Sequence, residues 1–164
     1  MDQKSHSKIL VIGVGNPFRG DDAAGLHVAR RVKQMDAGGA AVIEHSGEGA
    51  ALMEAWAGAD NVVLIDAIQT GAVPGTVRRF EPLSNPLPAE ILRHSTHTFS
   101  IPQAIELGRA LNQLPTCLVL FGIEGRNFQA ADELSPEILA ILDEVARRVL
   151  GEVKALGNPA KPGE

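Results

Sequence analysis

Three nearly unbroken apolar runs, Lys8–Val14, Asn61–Ile65 and Cys117–Gly122, stand out along the chain. A strand that is apolar at every position, not at every second one, predicts a sheet covered on both faces. Between these runs the apolar period lengthens to three and four. Gly25, Val28, Ala29, Val32 and Met35 make one stripe, Ile101, Ala104, Ile105, Gly108 and Leu111 a second, and Ile138, Ile141, Leu142, Val145 and Val149 a third. Each predicts a helix that buries one face. The last has a start signal in Ser135-Pro136-Glu137, with serine as N-cap and proline where the missing amide hydrogen is not needed, and it ends before Gly157-Asn158-Pro159. Ala40–Glu44 predicts another strand and Glu48–Ala57 a short alanine-rich helix. Gly75–Phe80 predicts a strand whose Val-Arg-Arg alternation belongs at a sheet edge.

The resulting order, β-α-β-α-β-β-α-β-α, predicts an α/β fold. Parallel neighbours need crossover helices, so a mainly parallel sheet of about five strands is expected at the centre of a three-layer αβα arrangement. Residues 1–157 are expected to form a single domain and residues 158–164 a flexible tail. Glu81–Ser95, with Pro82, Pro86 and Pro88, interrupts the rhythm and is the candidate for a long functional loop.

Composition narrows the function classes. The 164 residues suit one core, and 45% hydrophobic with 21% charged residues excludes a disordered chain. With 15 Lys and Arg against 20 Asp and Glu, the net charge is −5, which lacks the basic footprint of a nucleic-acid binder. The apolar runs fall far short of the ~20 residues of a membrane span. Met1–His6 is polar and no small-residue cleavage site follows the first apolar run, so a cytoplasmic protein without a membrane partner is expected. Cys117 alone allows neither an internal disulfide nor a cysteine metal cluster, and inside a strand it reads as a small buried hydrophobe before a nucleophile.

Ligands of open α/β sheets collect beyond the carboxyl ends of the strands. The first strand leads there into Gly13-Val14-Gly15-Asn16-Pro17-Phe18-Arg19-Gly20-Asp21-Asp22-Ala23-Ala24-Gly25, the central one into Asp66-Ala67-Ile68, and the approach to a later helix carries His94-Ser95-Thr96-His97. Asp21 or Asp22 could cap the first helix. Asp66 ends an apolar strand, where a carboxylate is costly unless it meets a hydrogen-bond donor, the open crevice or a cation. Either His94 or His97 could supply an imidazole; His6, His27 and His45 are weaker candidates. No Gly-x-Ser-x-Gly elbow and no His-Glu-x-x-His helix occurs. Two carboxylates and an imidazole from three segments suit a borderline divalent ion such as Ni²⁺ or Zn²⁺ with positions left open for water or substrate. Glu124, after the last strand, is a candidate rim contact or a solvated loop carboxylate.

Together, Gly13-Val14-Gly15-Asn16, Arg19-Gly20-Asp21-Asp22, Gly25, Ile65-Asp66-Ala67 and Ser95-Thr96-His97 resemble the hydrogenase maturation proteases, nickel-dependent endopeptidases that process the large subunit of [NiFe] hydrogenases. The resemblance implies removal of a C-terminal extension from the large-subunit precursor after nickel insertion. It implies Asp22, Asp66 and His97 as metal ligands, although many members carry glutamate at the position of Asp22. Nickel then comes with the precursor, and the isolated protein is expected to hold it weakly or not at all. Catalysis would use the metal with Asp22 and Asp66, or a carboxylate such as Asp21 or Asp22 that activates water. Phe18, Phe99 and the loop around Pro86 are candidates for apolar contact with the large subunit, although core packing explains phenylalanines as well. Two other classes fit the same residues. One is a nonenzymatic nickel-binding chaperone of the large subunit. The other is a small nucleotide-binding domain using Gly13–Asn16, although Phe18 stands at its third glycine position and only Glu44 could meet a ribose.

Overall fold

The computed structural model describes residues 7–93 and 101–158. In chain order these form β1 (Ile9–Val14), a 3₁₀ turn (Gly20–Ala23), α1 (Ala24–Gln34), β2 (Ala41–His45), α2 (Gly49–Trp56), β3 (Asn61–Ile68), β4 (Val77–Phe80), α3 (Ala89–Arg93), α4 (Ile101–Ala110), β5 (Cys117–Glu124), α5 (Pro136–Leu139) and α6 (Leu142–Gly157). One sheet has the order β2-β1-β3-β5-β4, with the first four strands parallel and β4 antiparallel at the edge. The expected α/β architecture is therefore the observed one.

Because side chains alternate across a strand, consecutive residues feed two different cores. Val11, Val63 and Val119 are aligned across β1, β3 and β5 and meet Val28, Val32, Val145 and Val149 of α1 and α6. On the other face, Ile12, Leu64 and Leu120 meet Leu52 and Trp56 of α2 and Ala104 and Ile105 of α4. The Trp56 indole N–H donates to the Gln113 carbonyl at 2.9 Å, so this large ring is buried without an orphaned donor. At the open edge, Arg79 pairs with Glu81 at 2.8 Å and with Glu152 at 2.7 Å, while the Arg78 guanidinium lies 4.9 Å from the Phe80 ring centre. Charge of this kind discourages strand addition. Among the described residues no helix is long and apolar enough to cross a membrane.

Several boundaries differ from expectation. β3 and β5 run on past Ile65 and Gly122, where Asp66 pairs with Gly122 and Ile68 with Glu124; ladder hydrogen bonds sustain a strand where apolar side chains stop. The final helix is two helices, α5 and α6, yet Ile138, Leu142, Val145 and Val149 are all fully buried. The stripe stays in phase across the break, so periodicity does not reveal it. Ser135 occupies the N-cap position with extended backbone but makes no capping hydrogen bond. Glu48 does cap α2, accepting from the amides of Ala50 and Ala51. The segment expected as a long loop instead packs Leu83 and Leu87 on the α4 core and contains α3. Those leucines, with Pro82, Pro86, Ile105 and Arg109, line a groove of about 390 Å³.

Candidate functional site

All four parallel strands end at one rim, and helix α1 is seated there by glycines. A Cβ on Gly25 would overlap the carbonyl oxygen of Ile65 and approach that of Val14 to 2.5 Å, so only glycine lets α1 rest across the ends of β1 and β3. A Cβ on Gly15 would likewise overlap the Asp22 carbonyl. The connection after β1 thus folds back on itself. Asn16 N–H donates to Asp22 Oδ2 at 3.0 Å, and Asp22 N–H donates to the Arg19 carbonyl at 3.1 Å.

Asp22 is buried in the 3₁₀ turn, and that turn packs against β3. Asp66 is half-buried in β3 and has the same strand parity as Val62 and Leu64, whose face is covered by α2 and α4. Two of the three expected metal ligands therefore come from neighbouring elements at one end of the sheet. His97, together with His94, Ser95, Thr96 and Phe99, lies outside the described residues, as do residues 1–6 and 159–164. Among the described residues no three His, Cys, Asp or Glu side chains are placed to hold a metal ion.

Asp21 has a different environment from its neighbour. It is 0% exposed, and its carboxylate accepts from the amides of Arg126 (2.7 Å), Asn127 (2.9 Å) and Ser135 (2.7 Å) and from the Ser135 hydroxyl (2.7 Å). Burial pushes its pKa up, but the Ser135 and Asn127 amides, the Ser135 hydroxyl and the Arg126 amide outweigh this and hold the acid below its usual value. Both oxygens are engaged inside the protein, so this carboxylate is not offered to a substrate water. Neither Asp21 nor Asp22 caps a helix: the residue before α1 is Ala23, which makes no side-chain cap.

Glu124 is neither a rim contact nor a solvated loop carboxylate, which corrects both expectations. It is buried, and it accepts from Thr70 N–H (2.8 Å), Thr70 Oγ1–H (2.8 Å) and Gly71 N–H (3.0 Å). Its role is to order the connection between β3 and β4. Cys117 is half-buried, and its thiol pKa is pushed up by burial and by Glu81 and Glu152, which disfavours a nucleophilic thiolate. The nucleotide reading also loses its donors. Gly15 N–H donates to the His45 carbonyl at 3.0 Å, Asn16 N–H is held by Asp22, and Glu44 pairs with Arg30 at 2.6 Å. The amides that would cradle a pyrophosphate are already engaged.

Sequence reasoning missed the clamp between residues 19–21 and 126–135. Besides the Asp21 contacts, Gly20 N–H donates to the Ala131 carbonyl (2.9 Å), Asp21 N–H to the Asn127 carbonyl (2.8 Å) and Ala131 N–H to the Phe18 carbonyl (3.1 Å). The available signal was a second aspartate beside Asp22 and Gly125 after β5, where a Cβ would come within 3.0 Å of the Asp21 Cβ.

Comparison with known proteins agrees with this architecture. A family model described as HycI, hydrogenase maturation protease, matches residues 26–152. A Methanocaldococcus jannaschii protein assigned to the hydrogenase maturation proteases is 28% identical over 152 residues, which cover 89% of this chain and 96% of its own. The hydrogenase 2 maturation protease of Escherichia coli is 24% identical over 161 residues, covering 96% of this chain and 97% of its own. The solution structure of an Escherichia coli endopeptidase aligns over 92% of this chain and 94% of its own, with a TM-score of 0.78 and 24% identity, a likeness of fold.

Proposed function

The chain belongs to the hydrogenase maturation protease family, and from that membership we propose that it removes the C-terminal extension of a [NiFe] hydrogenase large-subunit precursor once nickel has been inserted. In this reading Asp22 and Asp66, joined by His97 from the segment before α4, ligate the nickel that the precursor brings. Nickel is then part of the substrate. A precursor without metal lacks the decisive contact, which makes cleavage a check on metal loading.

The observation that carries this reading is Asp66, a half-buried carboxylate that follows the apolar run Val62–Ile65 within β3, the strand against which the turn that holds Asp22 packs. Such a carboxylate costs stability in an apolar setting and is compensated by a donor or a cation. Hydrolysis adds water across the scissile amide: the water oxygen joins the carbonyl carbon, the C–N bond breaks, and a proton passes to the leaving amine. The substrate's nickel polarises the carbonyl or the water, or Asp22 takes the water's proton. Asp21 acts as a positioning residue in either scheme, because its oxygens already accept four hydrogen bonds.

The test is incubation with nickel-loaded and nickel-free precursor, followed by mass spectrometry of the released carboxyl-terminal fragment. Release from the loaded form alone is expected, and Asp66→Ala is expected to slow it at least about a hundredfold while the variant stays folded. Normal cleavage by Asp66→Ala would refute the site. Binding of precursor without any fragment would favour the nickel chaperone.

A further inference from the structure

Single exposed hydrophobic residues are ordinary on protein surfaces. Of the five large hydrophobic residues exposed among the described ones, Phe18 lies in the connection from β1 to the turn that bears Asp22, Val73 follows β3, the strand that bears Asp66, and Leu139 closes α5. Phe18 differs from the others in standing four residues before Asp22. Met35 and Leu111 follow α1 and α4, at the opposite end of the sheet. Phe18 is the aromatic of the set and is 69% exposed. Core packing, which explains most phenylalanines, does not explain this one.

The backbone under Phe18 is fixed from both sides. Its N–H donates to Asn16 Oδ1 at 2.9 Å and its carbonyl accepts from Ala131 N–H at 3.1 Å. Pro17 restricts the preceding φ. Two residues on, Gly20 has φ +54, and a Cβ there would come within 2.5 Å of the Asn127 carbonyl oxygen. These bonds hold the turn with the ring at the surface. An aromatic held proud on a preordered backbone loses little conformational freedom on binding, which is the property of an interface anchor.

We infer that Phe18 is a specificity-determining anchor that enters an apolar pocket on the folded large-subunit precursor, next to the metal that Asp22 reads four residues further on. This rests on the proposed function for the partner's identity. The occupant is a folded protein, because a projecting ring needs a concave partner and a short peptide offers none.

The experiment measures KM and kcat with nickel-loaded precursor for the wild type, Phe18→Ser, Phe18→Leu and Leu111→Ser. Phe18→Ser is expected to raise KM roughly tenfold with kcat within about twofold, and Phe18→Leu to recover most of the loss. Leu111→Ser, at the far end, is expected to match the wild type. An unchanged KM in Phe18→Ser, or an equal rise in Leu111→Ser, would overturn the anchor while leaving the protease reading intact. If the wild type releases no fragment, the protease reading falls and titration of precursor against the same variants decides: roughly tenfold weaker binding by Phe18→Ser upholds the anchor, and equal affinity overturns it.

Discussion

Two adjacent aspartates serve different parts of the molecule. Asp22 accepts from Asn16 within its own loop, whereas Asp21 gathers donors from residues 126–135. Changing Asp21 to Asn keeps the shape but turns an acceptor-only group into one that presents N–H hydrogens to other N–H donors. The expected loss is about 3 kcal/mol of folding stability, read from urea unfolding at neutral pH, because buried donors lose a charged acceptor. The pair was legible in the sequence as a candidate site. The division of labour was not, since the partners of Asp21 begin 105 residues downstream and no local pattern announces a contact at that range. The same holds for Glu124 and Thr70, which are 54 residues apart.

Among the elements, α1 is the one whose seat admits least change. Gly25→Ala forces a methyl group into the Ile65 carbonyl at the crossing of α1 with β3, and the expected cost is about 3 kcal/mol, at the upper end of overpacking. Gly151 is a control: it lies inside α6, is exposed, and has open space where an added methyl would sit, with nothing within 4 Å. Gly151→Ala is expected to stabilise by roughly 0.5–1 kcal/mol through helix propensity alone. Thermal or urea unfolding of both variants checks the contrast. Elements such as α1 and β5 could be read in advance because burial imposes a period on their side chains. The interruption between α5 and α6 could not, because Ile138 and Leu142 remain four apart and both buried, so backbone geometry changes while the pattern does not.

For the molecule as a whole, His27 ties folding to pH. Burial lowers its pKa from 6.5, Arg30 and Arg31 lower it further, and Glu44 acts in the opposite sense. Above pH 6.5 the ring is neutral in folded and unfolded chains alike, and its environment costs nothing. Below that, the unfolded chain takes up the proton first, so stability falls as pH drops from 6.5 toward the lower folded pKa. Urea midpoints measured at about pH 7.5 and 5.5 are expected to decline in the wild type and to decline less in His27→Gln. The clamp on Asp21 has a different consequence, for the order in which a living cell completes this protein. A ribosome emits the turn bearing Asp22 early, but Ser135 emerges only after most of the polypeptide has been synthesised. A nascent fragment that stops short of Ser135 therefore lacks the donors that hold Asp21, and the turn is fixed in place only once nearly the whole chain is available.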